Sequence, residues 1–120
     1  MIDAASFSIR VGNRLPYLAY KFGFSLVGAV GVTFSMRDST TSEIVVNRQP
    51  AIIANGTYTI GGISTPLTPV DGVVFYPWGA TDTAVARKAA VGLFEITWPG
   101  NLKESVPSEG YEKITISDSF

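Results

Sequence analysis

Apolar and polar residues alternate along most of this chain, so that nearly every second side chain is hydrophobic. In "VGVTFSMRD", Val32, Phe34 and Met36 fall on one face, and the same spacing recurs in "LAYKFGF", "LFEITW" and "YEKITIS". A period of two places successive side chains on opposite faces of a β-strand with one buried face. The chain is therefore expected to consist mainly of half-buried strands.

Turn-forming residues separate these stretches, among them Gly12-Asn13, Asp38-Ser39, Asn55-Gly56, Asp71-Gly72 and Pro99-Gly100-Asn101. Strands at such intervals predict an all-β fold: an immunoglobulin-like antiparallel β-sandwich of about seven or eight strands. No shift in composition divides the chain, so residues 1–120 are expected to form a single domain. One segment, "DTAVARKAAV", is compatible with a single helical turn capped by Asp82.

The segment 55–72 departs from this rhythm and predicts an additional, projecting β-hairpin. Its alternation continues on both sides of Gly61-Gly62, a dipeptide that satisfies the positive φ angles of a type I′ turn. Pro66 and Pro69 are expected to end the return strand, because proline donates no ladder hydrogen bond. A plain surface loop is the alternative.

Composition restricts the possible functions. The chain contains no cysteine and no histidine, which excludes thiol nucleophiles, disulfides, histidine bases and the usual zinc sites. Nine basic and ten acidic residues give a net charge of −1. The chain therefore lacks the excess of positive charge that binding to nucleic acid or to an anionic membrane requires. The start lacks the features of a secretory signal, and "LVGAVGV" is too short to span a bilayer. We therefore expect a soluble protein made in a cytoplasm.

Catalytic and metal-binding patterns are weak throughout. No nucleophile elbow, P-loop or dinucleotide fingerprint occurs, and the aspartates do not have the spacing of a calcium loop. Glu104 and Glu109 flank a turn near Trp98 and are the only candidate carboxylate pair for glycoside hydrolysis. Their surroundings are typical of a solvated hairpin, so we expect no enzyme, no cofactor and no metal.

The aromatic residues remain as candidates for binding. Phe94 and Trp98 alternate with Ile96 and are expected to lie in the core. Trp78 lies in the irregular "YPWGATD" and is the one expected at the surface, where tryptophan can anchor a protein interface or stack on a sugar.

The second half of the chain contains a familiar order of motifs: "DGVVFYPWGATDTA", then "VGLFEITWPGN", then "SVPSEGYEKITI". This order resembles the N-terminal domain of phage baseplate upper proteins and related tail proteins, and "VTFSMRDSTTSEIVVNRQPAII" is similar to the first half of that domain. The resemblance covers residues 5–117. The chain departs from the family in the length of the hairpin 55–72 and in "VARKAA", which lengthens the turn before Gly92.

The resemblance implies an immunoglobulin-like sandwich that fastens a longer protein to a phage tail. By that likeness the chain is expected to be a non-enzymatic structural protein of a bacteriophage virion, made in the bacterial host, that binds other virion proteins. The symmetry of virions makes a ring or trimer of this chain an open alternative to a monomer. A capsid decoration or head-to-tail connector protein is the nearest alternative, and a carbohydrate-binding module using Trp78 and nearby tyrosines is a third.

The corner around Asp82 and Thr83 is expected to be structural, with Asp82 accepting backbone N–H bonds. Arg87 and Lys88, which follow it, are expected to be solvated or interfacial cations. Together with the hairpin and Trp78 they complete the candidate interface, which consists of Tyr58, Ile60, Ile63, Trp78, Arg87 and Lys88.

Overall fold

A computed structural model describes residues 6–15, 17–60, 62–107 and 111–118. In these ranges the chain forms ten strands and one 3₁₀ turn. The strands are β1 (Ser6–Arg10), β2 (Leu18–Lys21), β3 (Gly31–Asp38), β4 (Ile44–Ile53), β5 (Gly56–Ile60), β6 (Ile63–Leu67), β7 (Val73–Tyr76), β8 (Arg87–Trp98), β9 (Leu102–Val106) and β10 (Glu112–Ser117). The 3₁₀ turn, η1 (Pro69–Asp71), precedes β7.

Eight of the strands form one continuous sheet that folds over into two layers. Its order is β1-β10-β8-β3-β4-β7-β2, and β9 pairs with the second half of β8. Strand β4 pairs with β3 along most of its length, but its last residues, Ile52 and Ile53, pair with β7. This change of partner carries hydrogen bonding from one layer to the other and makes the sandwich nearly barrel-like.

The all-β sandwich predicted from the alternation is confirmed, with one difference in detail. Among the described residues, eight strands form the large sheet, and β5 and β6 form the additional hairpin, as predicted. The sheet is not purely antiparallel: β1 pairs in parallel with β10, from Ser6 opposite Lys113 to Arg10 opposite Ser117. A strand near the start of the chain therefore lies beside the last one.

Aromatic rings fill the space between the layers. Phe34 on β3 lies 4.7 Å from the ring of Tyr76 on β7 and 5.0 Å from that of Phe94 on β8. Tyr20 on β2 lies 5.5 Å from Phe94. Since both layers supply rings to the same cluster, their packing, together with the hydrophobic effect, holds the layers together.

Burial follows the predicted period along the central strands. Val32, Phe34 and Met36 are buried on β3, and Phe94 and Ile96 on β8. Trp98 is only partly buried and packs against the edge of the core, where its indole N–H donates to Glu104 Oε1 at 2.9 Å. Val30, which has the same spacing as Val32, precedes β3 and is 70% exposed.

The segment 55–72 forms the expected hairpin, in which Gly56 pairs with Leu67 and Ile60 with Ile63. The prediction that Pro66 ends the return strand is wrong, because Pro66 lies within β6 opposite Thr57. A proline is tolerated there because, among the described residues, β6 has no second neighbouring strand. The position of Pro66 that lacks an N–H can therefore face the open edge of the sheet, where no ladder hydrogen bond is lost. Pro69 begins η1. The predicted turn type depends on Gly61, which lies outside the described residues.

The helical turn allowed for "DTAVARKAAV" does not form. Residues 81–83 lie in a turn, and from Arg87 onward the chain belongs to β8. Pairing of β8 with β10 and β3 overrides the modest helical preference of the alanines.

Candidate interaction surface

A groove separates the β5–β6 hairpin from the outer face of the layer formed by β2, β7 and the end of β4. It has a volume of about 370 Å³. Its walls are almost entirely apolar and consist of Leu15, Tyr17, Ala19, Ile52, Tyr58, Thr59 and Phe75. We refer to it below as the hairpin groove.

Tyr58 fixes one wall of the hairpin groove. Its ring lies 5.1 Å from that of Phe75 on β7, and its hydroxyl oxygen accepts the backbone N–H of Asn55 at 3.1 Å. Within the part of the chain that the structure describes, strands β5 and β6 pair only with each other. The Tyr58 contacts therefore hold the hairpin against the sandwich and set the width of the groove.

The opposite wall leaves large apolar side chains in contact with water. Leu15 is 68% exposed, Tyr17 is 45% exposed and Ile52 is 46% exposed. Single exposed apolar residues are ordinary on protein surfaces, but a concave group of them is typical of a binding site. The groove can therefore bind an apolar or aromatic group of a partner.

Sequence reasoning found Tyr58 but missed the other groove residues. A signal was present in "VVFY" and "AII", where apolar residues occupy both faces of a strand. Such runs indicate that the outward face is covered as well as the inward one. Phe75 and Ile52 are the outward residues of these runs, and they pair with each other across β7 and β4.

The two isoleucines proposed for the interface lie on the hairpin. Ile63 is 69% exposed at the start of β6. The backbone of Ile60 pairs with Ile63, while the side chain of Ile60 lies outside the described part of the structure.

The prediction that Trp78 lies at the surface is wrong. Trp78 is 1% exposed, and its indole packs against Tyr76 at 5.4 Å and Phe7 at 5.7 Å. The reason is visible in "VVFYPW": Val74, Tyr76 and Trp78 continue the period of two beyond the end of β7, so Trp78 points inward with them. Its burial removes the stacking surface on which the carbohydrate hypothesis depended.

The corner after β7 is closed by Asp82, and the prediction that this carboxylate accepts backbone N–H bonds is confirmed. Asp82 Oδ2 accepts the N–H of Gly79 at 2.7 Å and the hydroxyl of Tyr76 at 2.6 Å. Burial, together with this bond, raises the pKa of Tyr76 far above its usual value. Thr83 is buried and donates its hydroxyl to the carbonyl of Asn13 at 2.7 Å. The corner is therefore structural.

The prediction that Arg87 is a solvated or interfacial cation is also wrong. Arg87 is 8% exposed, and its Nη1 lies 3.0 Å from Asp38 Oδ2 and 3.3 Å from Glu43 Oε1. Asp38 Oδ1 also accepts the N–H of Thr40 at 2.8 Å. The Thr40 bond first, and then Arg87, holds the pKa of Asp38 below its usual value, although burial opposes them. Lys88, the next residue, is exposed as expected.

Glu112 is a buried acid that the sequence analysis did not select. It is 2% exposed at the start of β10, and its Oε2 has no hydrogen-bond partner among the described residues. Burial raises the pKa of Glu112 to about 7. The spacing that marks Ile114 and Ile116 as inward includes Glu112, which is the signal that would have located it.

The remaining candidates for chemistry are dispersed. Glu104 accepts the indole N–H of Trp98, whereas Glu109 lies outside the described residues. Asp71 accepts the N–H of Thr68 at 2.7 Å in η1. Across the described ranges no group of three acidic, histidine or cysteine side chains is placed to hold a metal ion.

No helix in the described part of the chain is long and apolar enough to cross a membrane.

No family model matches this chain, and the search of curated proteins gives no match.

Proposed function

We propose that this chain is a non-enzymatic structural protein of a bacteriophage virion, an attachment module of the tail or baseplate that binds other virion proteins. The proposal rests on the motif order that resembles the baseplate attachment domain, and on the hairpin groove. The groove is the observation that carries it, because it supplies a concave apolar surface on the outside of a rigid sandwich.

The chemistry of the groove suits a protein partner. Covering Leu15, Tyr17 and Ile52 removes apolar area from water, at about 25 cal/mol per Å². Two tyrosines, Tyr17 and Tyr58, line it, and tyrosine is enriched among residues that dominate binding energy at protein interfaces. A partner segment with an apolar or aromatic anchor would therefore fit the groove best.

The buried polar groups support a structural role for the rest of the molecule. Asp82 closes the corner after β7, and Arg87 joins the end of β3 to the start of β8 through Asp38. Both side chains bind other groups of the same chain, and so they stabilise the fold. Among the described residues, the groove and the neighbouring exposed hairpin carry no such structural ion pair and offer a surface for binding.

Incorporation into particles tests the proposal. The tagged chain would be expressed during assembly of the phage that encodes it, and purified particles analysed by mass spectrometry and cryo-EM. We expect the chain in virions, with density for a sandwich at the tail tip or baseplate. Density on the capsid or neck would instead favour the decoration or connector alternative, and absence from particles would contradict both.

A matched pair of variants assigns the interface. Tyr17→Ser combined with Ile52→Thr makes the groove polar and keeps a β-branched residue in β4. Leu102→Ser is the control: it removes an apolar side chain that is 66% exposed, more than either Tyr17 or Ile52, from β9. We expect the groove variant to fold, by circular dichroism, but to be lost from particles, and the Leu102 variant to be retained. Normal incorporation of the groove variant would show that another surface makes the contact.

A further inference from the structure

A second cleft, on the opposite layer of the sandwich, contains two lysines. It lies on the outer face of the β8–β10 pair and has a volume of about 320 Å³. Its walls include Lys88 and Ala89 on β8, Lys113 and Thr115 on β10, and Ser39 in the turn after β3. We refer to it as the lysine cleft.

A β-bulge turns Lys88 into this cleft. Ile114 pairs with Ala90, but Ile116 pairs with Arg87, so three steps along β8 match two along β10. The extra residue breaks the alternation: Lys88 and Ala89 are both exposed, although Arg87 before them is buried. Bulges commonly redirect a side chain in this way.

Ser39 fixes the bulged backbone in place. Its N–H and its hydroxyl both donate to the carbonyl of Ala89, at 2.9 Å and 2.5 Å. The wall of the cleft is thus a defined part of the fold. Because the Ser39 hydroxyl is already donating, the remaining lining residues with side-chain donors are Lys88, Lys113 and Thr115.

Neither lysine of the lysine cleft forms an ion pair within the described ranges. Among the described residues, no carboxylate lies within 4.0 Å of the ammonium group of Lys88 or Lys113. The nearby acids, Asp38 and Glu43, are bound by Arg87. By contrast, Lys103 on β9, which pairs with the far end of β8, lies 4.0 Å from Glu95 and donates to Thr97 Oγ1 at 2.8 Å.

We infer that the lysine cleft binds an acidic segment of a partner protein in extended conformation. Lys113 pairs opposite Val91, so Lys88 lies three residues, roughly 10 Å, further along the sheet. In an extended peptide, carboxylates two residues apart lie about 7 Å from each other on one face. The flexible lysine side chains can span the difference between about 10 Å and about 7 Å. Two carboxylates on the same face of the peptide can therefore reach both ammonium groups.

This inference extends the proposed function, because the partner is expected to be another virion protein. The hairpin groove and the lysine cleft face outward from different layers of the sandwich. One apolar partner segment and one acidic segment can therefore bind at the same time, as an adaptor between two proteins requires.

A titration of the purified full chain tests the lysine cleft directly. Tetraglutamate would be added to ¹⁵N-labelled protein and amide shifts followed by NMR, with inorganic phosphate as the comparison ligand. We expect saturable shifts at Ala89 and Thr115 with the peptide. The double variant Lys88→Gln and Lys113→Gln should weaken binding roughly fivefold or more, and Lys103→Gln should leave it unchanged.

Three results would overturn the inference: no saturable shift with the peptide, equal weakening by Lys103→Gln, or saturation at the same amides by phosphate but not by tetraglutamate. The last would assign the cleft to a small anion. Added salt should weaken peptide binding, because the contacts are exposed charges. The titration needs no phage particle, so its failure and a failure of particle incorporation are independent results.

Discussion

The core around Trp78 and the hairpin groove around Tyr58 are two aromatic clusters with opposite relations to water. Around Trp78, rings from β3, β7 and β1 pack from several sides and leave the indole 1% exposed. Around Tyr58, one ring contact, with Phe75, accompanies neighbours such as Tyr17 that are nearly half exposed. Both clusters are aromatic, but only the Trp78 cluster lies between the two layers of the sandwich. The Tyr58 cluster lies on the outer face of one layer.

This difference separates a stabilising site from a binding site. In the core, the apolar surface is already removed from water, so its energy contributes to folding. In the groove, the corresponding surface is still hydrated, so its energy is available to a partner. Three stability experiments sharpen or break the distinction.

The largest effect is expected from Trp78→Ala. Deleting a fully buried tryptophan leaves a cavity and should lower the free energy of unfolding by about 3–5 kcal/mol. Tyr58→Ala removes a half-buried ring and should cost about 1 kcal/mol. Urea unfolding of both variants measures the two values. Equal losses would mean that the hairpin belongs to the core and would break the comparison.

The next effect concerns Glu112, a buried acid beside the core residues of β10. Its pKa is about 4.5 in the unfolded chain and about 7 when folded, so between these values the folded protein binds the extra proton. Stability should therefore fall as the pH rises from 4.5 through 7, by about 3 kcal/mol in total. Urea unfolding across this range measures the slope.

Glu112→Gln removes that titration and should flatten the slope. Glu104→Gln is the control, because Glu104 is exposed on β9. A wild-type protein whose stability does not change between pH 4.5 and 7, or a control that flattens the profile equally, would contradict a raised pKa caused by burial at position 112.

The smallest effect is expected at Gly92, where β8 crosses the core. A Cβ added there would lie 2.7 Å from Phe34 Cε1 and 2.9 Å from Ile114 Cδ1. Gly92→Ala should therefore cost about 1–3 kcal/mol by overpacking. At Gly31 on β3 an added Cβ meets nothing within 4 Å, so Gly31→Ala should be nearly neutral. Thermal unfolding of the pair tests this, and equal shifts in Tm would indicate a looser core than the structure has.

The central strands were predictable from the sequence, whereas the interface residues were predictable only in part. Tyr58 was found because a polar-apolar alternation crosses a glycine pair, which is local information. Trp78 was misplaced because "YPWGATD" was taken as irregular, although the period of two continues from Tyr76 to Trp78. Arg87 was misplaced because its partners, Asp38 and Glu43, are more than forty positions away in sequence, and no local pattern specifies such a pair.

The lysine cleft was beyond sequence reasoning for a related reason. Lys88 was expected to be exposed, but its neighbour Lys113 comes from a strand 25 positions later, and the bulge that aims Lys88 exists only in the β8–β10 register. Likewise Leu15, Tyr17 and Ile52 meet at the hairpin groove because β2, β4 and β7 become neighbours in the sheet.

The sequence by itself determined the all-β class, the alternation of the central strands, the hairpin and the structural corner at Asp82. These depend on period and on turn chemistry, which act over a few residues. The tertiary structure decided the parallel β1–β10 pair, the change of layer within β4, the burial of Trp78, Arg87 and Glu112, and the positions of both clefts. These depend on contacts between distant segments, whose energies appear only when the two layers pack.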